Sequence, residues 1–218
     1  MIAAIVFDFD GVLVDSEPLH LRAYQEVLEP LGFSLPREKY YSTYLGYDDA
    51  GVFKAVAATR DWRIDDQRLL ALIEEKGRVY EELLTAGDIM YPGAAECIAR
   101  LAARWPLGIA SGAARHEIEM MLRGRSLDRY FRFIVAAGET AEGKPAPDPY
   151  RKAALLHGQA PLECVAIEDS RWGIESAKAA GLHCIAITHT YPVNDLLTAD
   201  AIVTSLAELT PELIEKLE

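Results

Sequence analysis

From Tyr91 onward, short apolar runs alternate with helical patterns, and this alternation restricts the fold more than any other feature of the chain. A helical pattern over residues 94–104 leads into the apolar run P-L-G-I-A-S. Patterns around 117–122, 150–157 and 174–180 lead in turn into F-R-F-I-V-A-A, C-V-A-I-E-D and H-C-I-A-I-T. D-L-L-T, A-I-V-T and a terminal helix follow. Runs that are apolar on both faces fit strands buried in the middle of a parallel sheet. Helices between successive parallel strands imply right-handed crossovers that cover both faces of the sheet. Residues 2–7 form one more such run and read as the first strand.

Residues 16–86 have a different texture. They hold only helical patterns: L-R-A-Y-Q-E-V-L-E-P-L-G ending at Gly32, A-G-V-F-K-A-V-A-A-T, and a charged stretch over 65–85. Gly32, Pro36, Gly46 and Gly51 punctuate them. The expected architecture is therefore α/β, a doubly wound parallel sheet formed by 1–15 and 87–218, with an all-helical domain, 16–86, inserted after the first strand.

Composition narrows the function classes. The net charge is −12, which argues against nucleic acid and anionic membrane surfaces as partners. It also requires an anionic substrate to find local positive charge, from a metal or lysines. No apolar run approaches the roughly 18–20 residues that span a bilayer. The opening M-I-A-A-I-V-F-D-F-D reads as a strand and not as a signal peptide, so a cytoplasmic location is expected. Cys97, Cys164 and Cys184 lie in apolar contexts without metal-type spacing, and are expected to be buried free thiols.

In doubly wound sheets, ligands bind at the carboxyl ends of the strands. Asp8 and Asp10 end the first strand, Ser111 the second, and Glu168 and Asp169 the fourth; Lys144 follows the third. Four carboxylates at one edge repel one another unless a cation sits among them. All-oxygen ligands without a neighbouring His or Cys favour magnesium, which shares its sites readily with phosphate oxygens. Asp8 and Asp10, two apart on an extended strand, face the same way. One carboxylate can attack phosphorus while the other handles protons. Ser111 can donate to a phosphoryl oxygen and Lys144 can neutralise its charge.

D-F-D-G-V, Ser111 in I-A-S-G, Lys144 in G-K-P-A-P-D-P, and I-E-D-S-R-W-G-I together resemble, in order, the four motifs of the haloacid dehalogenase superfamily. The resemblance is to its helical-cap members, such as phosphoglycolate phosphatase and β-phosphoglucomutase, and covers essentially the whole chain. It implies a Rossmann-like core with a cap that closes over the site. It further implies Asp8 as nucleophile and Asp10 as general acid/base. Magnesium would be held by Asp8, the Asp10 backbone carbonyl and Asp169, with Glu168 close by. Ser111 and Gly112 would contact the substrate, a small phosphate ester, and the chain would be a monomer or weak homodimer.

Other features invite competing readings. G-E-T-A-E-G-K has the spacing of a nucleotide-binding loop, but Pro145 stands where that loop needs a hydroxyl. Asp15 reads as a cap or turn residue. His20 and Lys76 read first as a surface histidine and a solvated charge, and second as substrate contacts within the cap. His116, His157, His183 and His189 have no ligand-like spacing, and Trp172 reads as a packing residue. Asp10 disfavours a dehalogenase, whose leaving group needs no proton. Lys54 lacks the setting of a phosphonate hydrolase's Schiff-base lysine. β-Phosphoglucomutases carry G-x-x-R where this chain has Gly46, Tyr47, Asp48 and Asp49; an acidic residue there would repel a second phosphate, so a phosphatase is expected ahead of a mutase. A catalytically inactive binding module is the third reading, disfavoured by the intact Asp8 and Asp10.

Overall fold

Six parallel strands form one sheet in the order β3-β2-β1-β4-β5-β6, with β1 at Ala4–Phe7, β2 at Leu107–Ala110, β3 at Phe131–Val135, β4 at Cys164–Glu168, β5 at His183–Ile187 and β6 at Ala201–Val203. The computed structural model describes every residue except Arg60, Asp61, Thr85, Ala86, Asp88 and Glu218. The chain divides into two compact units, Met1–Asp15 with Met90–Glu218, and Ser16–Ile89. The expected helix end at Thr85 and domain boundary at Ala86 lie outside the described residues.

In the sheet unit, the apolar runs conceal an alternation of size. Ala4, Val6, Ala110, Cys164, Ala166, Cys184 and Ala186 pack on one side with Tyr150, Ala153, Ile174 and Ala177. These last four come from helices α7 (Asp148–His157) and α8 (Arg171–Ala180). Their strand neighbours Ile5, Phe7, Leu107, Ile109, Val165, Ile167, Ile185 and Ile187, equally buried, point the other way because side chains alternate across a strand. Small residues on one face let two helices approach closely; large ones on the other fill more space. Helices α5 (Ala94–Ala102), α6 (Arg115–Arg123) and the short α9 (Pro211–Ile214) complete this unit. All three cysteines are buried free thiols, as expected.

The strand order reverses between β1 and β4, which are paired from Ala4↔Cys164 to Phe7↔Ile167. A switch of this kind opens a crevice beyond the carboxyl ends of the two strands. The residues following that pairing are Asp8 on one strand and Glu168 and Asp169 on the other. The fold thus sets the two carboxylate-rich segments side by side.

The other unit is helical, and among its described residues no strand occurs. It comprises α1 (Glu17–Leu28), α2 (Arg37–Lys39) running into a wider turn over Tyr40–Tyr44, α3 (Asp49–Ala58) and α4 (Asp66–Leu84). Pro30 lacks an N–H, so α1 ends at Leu28 and tightens into a 3-10 turn over Glu29–Leu31. Gly32 then closes it in the left-handed region at φ 80°. Leu21, Tyr24, Leu28, Phe53, Val56 and Leu72 form the core of this unit. No helix among the described residues is long and apolar enough to cross a membrane.

Candidate active site

Asp8, Glu168 and Asp169 bring one carboxylate oxygen each to within 4.8 Å of the others, and all three residues are buried. The Lys144 ammonium donates to Glu168 Oε1 at 2.6 Å and lies 3.1 Å from Asp8 Oδ1. Three buried carboxylates thus cluster beside the one ammonium of Lys144, which contacts two of them. Burial chiefly, with help from Glu168 and Asp10, pushes the Asp8 carboxyl up to about 7 against the pull of Lys144. Asp169 is raised well above the usual carboxylate range, first by burial and then by Glu168 and Asp8. Burial alone would lower the Lys144 pKa, but Asp8 and Glu168 outweigh it and raise it. A cluster so short of positive charge, with only hard oxygen donors, fits a divalent cation such as magnesium.

Local structure holds each group in place. Asp8 Oδ1 accepts from the Phe9 amide at 2.7 Å, which fixes the carboxylate at the strand end. Glu168 is fully buried, and both its oxygens have partners. Oε1 accepts from Lys144 and, at 2.7 Å, from the Tyr150 hydroxyl; Oε2 accepts from the Asp169 amide and the Ser170 hydroxyl. The backbone must also make room. A Cβ on Gly173 would sit 1.9 Å from the Glu168 carboxyl, and one on Gly11, at φ +71°, would sit 1.8 Å from Asp169 Oδ2.

Asp10 lies two residues beyond Asp8 and is near enough to affect its protonation. Ser111 is buried; its hydroxyl accepts from the Ala113 amide at 3.1 Å. Ser111, exposed Gly112, Gly138, Thr140, Gly143 and Lys144 line a cavity of about 380 Å³. The structure therefore brings Asp8, Glu168, Asp169 and Lys144 into direct contact range, with Asp10 beside them and Ser111 and Gly112 sharing a cavity with Lys144. The G-E-T-A-E-G-K segment is no nucleotide loop in shape, because α7 starts only at Asp148, beyond the lysine.

His20 and Lys76 belong to the helical unit, and Lys76 departs from expectation. It is 4% exposed, not solvated. Its ammonium donates to Asp49 Oδ1 at 2.9 Å and lies 2.9 Å from His20 Nδ1. The Tyr24 hydroxyl donates to the same Asp49 oxygen at 2.5 Å, and His20 stacks on Tyr80 at 4.1 Å. Burial first, then Lys76, holds the imidazole down to about 3, so His20 is neutral. The Asp48 carboxylate is also engaged, accepting from the Gly51 amide as the N-cap of α3. Of the two acidic residues expected to repel a second phosphate, Asp49 pairs with Lys76, 27 residues away, and Asp48 caps α3.

Several residues of the site escaped sequence reasoning. Tyr150 donates to Glu168, Thr190 lies beside Asp169 against Gly11, and nothing in their local sequence marks them. Ser170 was findable, since Ser ahead of R-W-G marks a helix N-cap; it accepts from the Gly173 amide and starts α8 at Arg171, three residues before the expected 174. His189, assigned nothing, stacks on Tyr91 at 3.8 Å and hydrogen-bonds the Gly11 carbonyl. Trp172 packs, as expected, edge-on to Tyr191.

The chain is similar to known proteins over nearly its whole length. The sequence pattern of the haloacid dehalogenase-like hydrolases matches residues 5–187. Hexitol phosphatase B of Escherichia coli (strain K12) is 32% identical over 212 residues, covering 96% of this chain and 95% of that protein. The phosphoglycolate phosphatase of Shigella boydii serotype 4 is 28% identical over 233 residues, covering 97% and 92%. The crystal structure of CbbY from Rhodobacter sphaeroides in complex with phosphate superposes with a TM-score of 0.81 at 31% identity, over 96% of each chain.

Proposed function

The chain belongs to the haloacid dehalogenase-like hydrolase family and is a phosphoric monoester hydrolase, and from that premise we propose that it cleaves a small soluble monophosphate through an aspartyl-phosphate on Asp8. The substrate would be a sugar phosphate or a phosphoglycolate-like ester, and magnesium the metal. The observation that carries this reading is the lysine placed between carboxylates: Lys144 within 3.1 Å of Asp8 and 2.6 Å of Glu168. Such an ammonium can steady a carboxylate nucleophile and the phosphoryl oxygens arriving beside it.

The reaction has two halves. An Asp8 oxygen attacks phosphorus, and a new O–P bond forms as the ester P–O bond breaks. Asp10 gives its proton to the departing alcohol oxygen. Asp10, now a carboxylate, takes a proton from water as the water oxygen attacks phosphorus. The Asp8 O–P bond then breaks and orthophosphate leaves. The Ser111 hydroxyl and Gly112 orient the phosphoryl oxygens, and Lys144 offsets their charge. Asp8, the Asp10 carbonyl and Asp169, with Glu168 nearby, would hold a magnesium ion, which would supply Lewis-acid stabilisation of that charge.

We assign choice of the leaving group to the helical unit, with His20 and Lys76 as contacts. Because Asp49 matches the lysine's charge, these groups favour hydroxyls over a second anion. The same pairing offsets Asp49 but not Asp48, and a phosphomutase stays the second reading.

A panel of small phosphate esters, assayed with magnesium, tests the proposal. At least one should turn over, and an acid quench with labelled substrate should trap label on the wild type but not on Asp8→Asn. That variant should fold and fall below about a thousandth of wild-type activity. Normal activity in it would remove the covalent route. Conversion of β-glucose 1-phosphate to glucose 6-phosphate ahead of phosphate release would favour the mutase.

A further inference from the structure

Three consecutive residues after β5, His189, Thr190 and Tyr191, each reach a different part of the candidate site. The His189 Nδ1 lies 3.0 Å from the Gly11 carbonyl, which can only accept, so that nitrogen carries the proton and donates. Gly11 directly follows Asp10. The Thr190 hydroxyl lies beside the Asp169 carboxylate, both of them against the Gly11 backbone. Tyr191 packs edge-on to Trp172, in the first turn of α8, with ring centroids 5.9 Å apart. One short segment thus ties the loop after β1 to the loop after β4. The His189 ring is itself held by its stack on Tyr91.

Thr190 occupies the tightest point. A Cβ on Gly11 would meet Asp169 Oδ2 at 1.8 Å and Thr190 Oγ1 at 2.6 Å, so the glycine, the carboxylate and the hydroxyl share one crowded space. Asp169 needs such a partner. It is buried beside Asp8 and Glu168, whose like charges would otherwise turn it away. A hydroxyl donor holds a carboxylate in one orientation and leaves lone pairs for a cation. Outer donors of this kind commonly set metal affinity as strongly as the ligands' own geometry.

We propose that Thr190 is a positioning residue for the metal: its hydroxyl orients Asp169 so that the carboxylate cluster is ready for a divalent cation before one binds. This rests on the phosphatase reading for its purpose, but not for its test. Magnesium binding is measured by isothermal titration calorimetry without substrate, on the wild type, Thr190→Val, Thr190→Ser and Asp169→Asn. Asp169→Asn sets the level of lost binding. Thr190→Val, which keeps the shape and drops the donor, should weaken magnesium by about 10- to 100-fold. Thr190→Ser, which restores the donor, should lie within about threefold of wild type. With substrate, the loss in Thr190→Val should appear in the magnesium concentration for half-activation and recover largely at saturating metal.

Wild-type magnesium affinity in Thr190→Val would overturn the proposal. So would equal weakening in Thr190→Ser, because the effect would then come from packing. If Thr190→Val fails to fold, Thr190→Ala asks the same question with less crowding. Failure of both to fold would make Thr190 structural and end the proposal. A wild type that binds magnesium but turns over no ester would sink the phosphatase reading and leave this one standing.

Discussion

Each unit sets a lysine among polar partners, Lys144 with a side chain 13% exposed and Lys76 with one 5% exposed, and the two clusters differ in how much charge is left over. Lys144 pairs with Asp8 and Glu168, and Asp169 lies beside them, so the fully ionised cluster carries two negative charges in excess. Lys76 serves Asp49 alone, beside a neutral His20 and the Tyr24 hydroxyl. The second cluster balances itself. The first is completed only by something positive from outside. Buried charge is costly unless matched, so the unmatched cluster calls for a cation, and the matched one does not. This separates the two lysines where sequence treats them alike.

The largest expected difference lies in removing each lysine. Lys144→Met leaves buried carboxylates without a counter-charge and should cost about 3–5 kcal/mol in urea unfolding with a chelator present. Lys76→Met leaves only Asp49, whose side chain is 31% exposed, and should cost about 1–3 kcal/mol. Equal losses would erase the distinction between the clusters.

Magnesium should discriminate next. At a hundred times its dissociation constant it should stabilise the wild type by about 2.7 kcal/mol, and Asp169→Asn by far less. Variants of Lys76 and Asp49 should keep the full gain. A further contrast comes from neutralising both partners. Lys76→Met with Asp49→Asn should recover part of the single variant's loss, by about 1 kcal/mol, as a self-balanced pair requires. No recovery in the double variant would mean that packing of the lysine stem matters more than its charge.

The smallest effects are in pH dependence, and their signs are opposite. His20 is held down to about 3 from its ordinary 6.5. Unfolding between those values takes up a proton, so this contribution is present above pH 6.5 and lost as pH falls towards 3. Asp8 without metal is raised from 3.8 to about 7. Unfolding releases its proton, so its contribution is present below 3.8 and lost as pH rises through 7. In chelator, His20→Asn should flatten the acid side of the stability profile by about one proton, and Asp8→Asn should flatten the fall in stability as pH rises towards neutrality. The same slope in both variants would contradict the assignment.

Much of the candidate site was legible before folding because its residues stand at strand ends. Asp8, Asp10, Ser111, Glu168 and Asp169 follow apolar runs, and strand ends converge in a parallel sheet. Lys144 was legible because Pro145 excludes its main competing role. Gly32 marked the end of the first helical pattern, although only the structure showed that α1 stops at Leu28 and tightens into a 3-10 turn. Thr190, Tyr150 and His189 carried no such signal, since each acts through one contact made by packing.

The sequence by itself determined the strand–helix alternation, the helical insertion and the acidic ends of β1 and β4. These follow from local periodicity, which each short segment carries alone. Only the tertiary structure decided which charges are matched. Lys76 meets Asp49 across 27 residues, Tyr150 meets Glu168 across 18, and Lys144 meets Glu168 across 24. Such pairs depend on how helices and strands pack, and no local pattern records that. The physical reason is one of range: backbone preference acts over a few residues, whereas burial and charge balance are properties of the assembled fold.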